Sequence, residues 1–119
     1  MDSLSIVLVL FIALQHFFFL YLEMFAWTKP LGRKIFKNSI EKAESTKLLA
    51  ANQGLYNGFL AAGLIYSVLY PSLHVGQDIA LFFLSCIVIA GLYGSYSVKK
   101  TILYIQALPA FITLLIVAL

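Results

Sequence analysis

Long apolar runs alternate with short polar connections along this chain. Leu4 to Trp27 covers 24 residues with one charge, Glu23. Leu48 to Tyr70 covers 23 residues, Ile79 to Val98 covers 20 and Thr101 to Leu119 covers 19, all three without charge. About 20 apolar residues in a helix cross a hydrocarbon core about 30 Å thick. In lipid only a helix satisfies every backbone group within its own segment. The pattern predicts one all-α domain over residues 1–119, a bundle of four transmembrane helices at about 4–27, 48–70, 79–98 and 101–119. Thr28 to Lys47 is the one substantial loop, Pro71 to Asp78 a turn, and Lys99–Lys100 a tight link. Asn38 or Ser39 can cap a short helix through Ile40, Glu41 and Lys42 that leads into the second span. The first run lacks a basic start and a small-residue cleavage site before Trp27, so it reads as a retained span and not a signal peptide.

Composition strengthens that picture. Hydrophobic residues make up 62% of the 119 and charged residues 11%, against about 45–50% and about 25% in soluble domains. A water-soluble globular protein, a disordered chain and a nucleic-acid-binding domain are all excluded. Cys86 is the single cysteine, so no intramolecular disulfide forms, and its apolar surroundings suit a packing role. Six of the eight cations, Lys29, Arg33, Lys34, Lys37, Lys42 and Lys47, lie in the first loop, and Lys99 and Lys100 lie in the third. The positive-inside rule makes these two loops cytoplasmic and both termini non-cytoplasmic, in a multi-pass plasma-membrane protein. Anionic lipid head groups are natural neighbours of such loops.

Polar residues inside the runs are the candidate chemistry. Glu23 stands six residues before Lys29, Gln53 six after Lys47 with Asn52 beside it, Tyr93 six before Lys99 and Gln106 six after Lys100. Six residues are about 9 Å of helix, so each span carries a polar side chain at similar depth. Burial in lipid is costly for such groups, which predicts that they turn inward as one hydrogen-bonded layer. His16, with Gln15 beside it, lies seven residues before Glu23 on the same face, and Asn57 lies four after Gln53. The two stripes predict a narrow polar cleft open to the cytoplasm, with Tyr21 and Tyr96 at its rim. The candidate ligand-binding residues are therefore Glu23, His16, Asn52, Gln53, Asn57, Tyr93 and Gln106. Asn, Gln and His also serve simply to join membrane helices.

Other features concern packing. Ala50, Gly54, Gly58 and Ala62 form a small-residue ridge, as do Ala90 and Gly94, and such ridges suit close helix contacts or a homo-oligomer. Pro109 frees the carbonyl of Ile105 and should loosen the last helix. Trp27, Tyr21, Tyr66 and Tyr70 suit the interfacial aromatic belt. No phosphate loop, metal-spaced cluster or nucleophile motif is present, so no cofactor and no metal are implied. The two histidines, His16 and His74, are 58 residues apart and cannot build one metal site in a protomer.

The strings LEMFAWTKPLGRKIF, TKLLAANQGLYNGFLAAGL, IAGLYGSYSVKK and QALPAF resemble a family of small bacterial integral membrane proteins known as domain of unknown function 1304. The resemblance runs through nearly the whole chain and implies four spans without an assigned activity. A looser similarity is to the membrane-associated eicosanoid and glutathione metabolism proteins. It rests on Leu49-Ala50-Ala51-Asn52 and Tyr93-Gly94-Ser95-Tyr96, and implies four spans with an external N-terminus. Those enzymes hold glutathione with arginines, whereas Arg33 is the only arginine here. Small multidrug-resistance transporters are similar in architecture and carry a membrane-embedded glutamate in their first span, as Glu23 would be. Three functions follow as expectations. One is a membrane protein that binds or transports a small molecule through a polar pocket, with Glu23 as charge centre and His16 as a deeper relay. The second is an enzyme acting on a lipophilic substrate. The third is a structural protein whose polar layer is glue.

Overall fold

The computed structural model describes every residue from Met1 to Leu119 and is all-α, with no strand. In order come α1 (Ser3–Met24), α2 (Pro30–Phe36), α3 (Ile40–Leu69), α4 (Leu73–Ser97), a π-helical turn (Leu103–Ala107) and α5 (Leu108–Ala118).

Local chemistry sets these boundaries. Asp2 opens α1: its Oδ1 accepts the Ser5 N–H at 2.8 Å and its carbonyl accepts the Ile6 N–H at 3.0 Å. The bonds from Ser5 favour the ionised form and hold the Asp2 carboxyl below its ordinary range. Ser39 Oγ accepts the Lys42 N–H at 3.1 Å, and α3 then runs unbroken to Leu69.

Two connections hold more helix than the hydropathy pattern predicts. The first loop contains α2, opened by Pro30 in its first turn and closed by Lys37 in the left-handed region at φ 56°. The segment expected as a turn up to Asp78 is helical from Leu73, because Ser72 Oγ accepts the Val75 N–H and caps α4 early. Gly76 is then buried within α4, where a Cβ would lie 2.5 Å from the Ser67 carbonyl oxygen.

Helices α1 and α4 are long and apolar enough to cross a membrane. The other two expected runs are also helical, and they are less apolar or shorter than α1 and α4. The first turns of α3 carry Glu41, Lys42, Glu44 and Lys47, and Asn52, Gln53 and Asn57 follow. The last run continues as helix through the π turn into α5, and as Leu103–Ala118 it is shorter than α1 and α4. Pro109 stands at the second position of α5 and has no N–H for the preceding turn.

The chain forms two compact units, Met1–Ala13 with Ala62–Leu119, and Leu14–Ala61. In the first, α4 packs on the π turn and α5. Gly76, Ala80, Leu84, Ile87 and Gly91 are the buried stripe of α4, at helical spacing. Ala107, Ala110, Thr113 and Val117 are its counterpart on the π turn and α5. Gln77 Nε2 donates to the Val117 carbonyl at 2.7 Å, satisfying a helix-end acceptor. In the second unit, the latter half of α1 meets α3, and α2 packs against the connection at Ala26–Thr28. Large apolar side chains stay exposed on α1, among them Val7, Phe11, Leu14 and Phe18.

Candidate functional site

The second unit holds the most chemically distinctive contact in the molecule. Asn57 Nδ2 on α3 donates to Glu23 Oε1 on α1 at 2.5 Å. Two glycines bring the helices that close. A Cβ on Gly54 would lie 2.8 Å from Met24 Cγ, 3.0 Å from Glu23 Cβ and 3.2 Å from the Leu20 carbonyl oxygen. A Cβ on Gly58 would lie 2.6 Å from Leu20 Cδ1. Ala50, Gly54, Asn57 and Ala61 are all buried and recur at spacings of four, three and four. This is the stripe that a helix presents to a neighbour, and Asn57 is its one polar member.

Glu23 is half-buried and lies on the wall of a recess of about 220 Å³, together with Met24, Trp27, Thr28, Lys47 and Leu48. The α2 segment packs against Trp27 and Thr28 of its wall. Trp27 Nε1 donates to Thr46 Oγ1 at 3.1 Å, and the Trp27 ring packs on Phe36 with centroids 4.7 Å apart. Arg33 Nε donates to the Thr28 carbonyl at 3.2 Å. Gly32 is buried against the backbone of Ala26, where a Cβ would overlap the carbonyl oxygen. Lys47, at the rim, pairs with Glu44 at 3.1 Å. Both groups are about half exposed, and such pairs contribute little to stability.

The other expected residues are distributed as follows. His16 is fully buried on α1, its ring edge-on to Phe19 with centroids 5.1 Å apart. Seven residues separate it from Glu23, about 10 Å of rise. Asn52 and Gln53 are exposed, off the buried stripe of α3. Tyr93 and Gln106 belong to the other unit, Tyr93 at 69% exposure on α4 and Gln106 half-buried in the π turn. Tyr96, expected at a rim, is 89% exposed.

Of the three amides expected beside Glu23 on the second span, the structure brings Asn57 to it and leaves Asn52 and Gln53 exposed. The phase of Asn57 separates it from the other two: it stands seven residues after Ala50 and three after Gly54. The contributions of Trp27, Thr28 and Lys47 to the recess depend on how α2 folds back, which hydropathy alone does not encode.

A carboxyl and a carboxamide packed between apolar helices, beside a recess with hydroxyl and ammonium groups, can hold a small polar or amphiphilic molecule by hydrogen bonds. Residues 10–118 match the family described as Protein of unknown function (DUF1304), and the chain belongs to it. An uncharacterized protein, YpaA, from Lactococcus lactis subsp. lactis (strain IL1403) is 35% identical over 117 residues, which cover 97% of each chain. No solved structure matches the chain.

Proposed function

We propose that the protein is a four-span plasma-membrane protein with both termini on the non-cytoplasmic side, and that its Glu23 recess binds a small molecule reached from the cytoplasm. The observation that carries the binding reading is the Glu23–Asn57 bond beside an open recess. Asn57 engages one carboxyl oxygen, and a carboxylate has acceptor capacity for further donors. A ligand that offers an N–H or O–H beside an apolar body matches Glu23, Thr28 and the indole of Trp27. Membrane placement draws support from the length of α1 and α4, from the exposed apolar side chains on α1, and from the confinement of every Lys and Arg to segments 29–47 and 99–100.

The same bond favours a second reading, in which Glu23 and Asn57 only fasten α1 to α3. Interhelical hydrogen bonds in membranes average about 0.6 kcal/mol, a modest return for placing a carboxyl within an apolar helix. Mass spectrometry of small molecules retained by gently extracted protein separates the two readings. Wild type is expected to retain a species that Glu23→Gln loses; no retained species, or equal retention by both proteins, contradicts binding. A C-terminal alkaline phosphatase fusion is expected to be active, and activity of a cytoplasmic reporter there instead would overturn the orientation.

A further inference from the structure

The first unit carries a groove that the Glu23 site does not use. It has a volume of about 330 Å³ and is open along one side. Val88 and Leu92 of α4 form one wall, and Tyr104 of the π turn with Leu108 and Phe111 of α5 form the other. Its exposed lining is entirely apolar. Backbone contact sets its depth: a Cβ on Gly91 would lie 2.7 Å from both the backbone nitrogen and the Cβ of Ala107. One wall includes a π-helical turn, a rare element found often at functional sites.

Charge at one end identifies the occupant. Lys99 and Lys100 form the link between α4 and the π turn, and their carbonyls accept the N–H groups of Ile102 and Leu103 at 3.2 and 3.0 Å. That backbone pattern fixes both lysines within one turn of the groove wall. Both residues are exposed, neither is in an ion pair, and no acidic residue follows Asp78 in the chain. Asp78 lies in the opening turns of α4, 19 residues before Ser97, or about 28 Å along the helix. An uncompensated basic pair thus lies within a few residues of a wholly apolar groove.

We propose that this groove is a binding site for an anionic glycerophospholipid, with one acyl chain lying between α4 and the π turn and the phosphate held by Lys99 and Lys100. A lipid satisfies both features at once: the chain fills apolar space, and the phosphate meets cations where the bilayer interface would lie. The inference rests on the membrane placement proposed above and is independent of the Glu23 recess.

The test uses full-length protein in mixed micelles holding equal phosphatidylglycerol and phosphatidylcholine with identical acyl chains, followed by delipidation and native mass spectrometry. Wild type is expected to retain phosphatidylglycerol over phosphatidylcholine roughly tenfold or more, the scale that two interfacial cations provide. The double variant Lys99→Gln/Lys100→Gln and the groove-filling Val88→Trp are each expected to bring the ratio to about one. Leu92→Gln, at an exposed wall position, makes the groove test independently if Val88→Trp fails to fold. Equal retention of both lipids by wild type overturns the site. So does a preference that the lysine variant abolishes while the groove variants keep it, because that pattern means attraction to the basic link alone. Protein that stays soluble without detergent would instead overturn the membrane placement.

Discussion

Two helix contacts in this protein begin from the same device and end differently. In one, α4 meets the π turn through Gly91; in the other, α3 meets α1 through Gly54 and Gly58. At Gly91 the opposing atoms are largely backbone, from Ala107. At Gly58 they are the end of the Leu20 side chain. The first contact is closed by apolar atoms, with Ala80, Leu84 and Ile87 buried along the same stripe. The second admits a polar pair, Asn57 and Glu23. Small residues alone therefore do not make a site. Close approach becomes chemically useful where the stripe that contains them also carries a donor and faces a carboxyl.

The largest effect should come from attacking the backbone contact. Gly91→Leu forces a side chain into the Ala107 main chain, which cannot rotate away. Overpacking of this kind costs about 1–3 kcal/mol and sometimes more, so thermal unfolding in detergent should show a large loss of stability or no folded protein. Gly58→Ala meets only the tip of Leu20 and should lower the midpoint much less. Equal losses at the two positions would erase the distinction between the contacts.

Asn57→Ala should come next. It leaves the Glu23 carboxyl without its donor, and an unsatisfied buried polar group costs about 1–3 kcal/mol. The same melting experiment should show an intermediate loss, and a double-mutant cycle with Glu23→Ala, which removes the acceptor, should show coupling between the two positions. Additive effects would mean that the pair is not coupled.

The smallest effect belongs to the start of α1. The folded Asp2 carboxyl titrates below its ordinary range because Ser5 donates to the ionised form. Its contribution is complete above the unfolded aspartate value of about 3.9 and is lost as pH falls further, through the lowered folded value. Asp2→Ala should therefore slightly reduce stability at neutral pH and flatten its acid dependence, read as the difference between melting curves at neutral and acid pH. An unchanged acid limb would show that the cap does not form in solution.

The sequence was most informative where a single physical rule dominates. Ser39 announces the start of α3 because a hydroxyl at that position satisfies an otherwise orphaned N–H. Pro109 announces an irregular last helix because it has no N–H to give, and the π turn lies directly before it. Where two rules compete, the pattern was harder to read. Pro71 and Gly76 suggested a long turn, but Ser72 caps a helix that passes through Gly76. Segment 28–47 looked like a charged loop because α2 is only seven residues long and is held by tertiary contacts of Trp27 and Arg33. For the candidate site, depth along the helices points to Asn52 and Gln53, the four-residue step from Gln53 adds Asn57, and of the three it is Asn57 that meets Glu23. Depth is readable from residue counting; the facing direction depends on which stripe becomes buried, and here the glycines decide it.

On the binding reading, the charge on Glu23 is not needed to hold α1 against α3. Asn57 donates the hydrogen bond, and a glutamine carbonyl at position 23 accepts it equally well. The thermal midpoint of Glu23→Gln in detergent, measured beside wild type and Asn57→Ala, tests this most directly. A midpoint close to wild type and well above Asn57→Ala is the expected result, leaving the carboxyl available for a ligand. A fall as deep as that of Asn57→Ala would rule this out and make the pair a fastening between two helices.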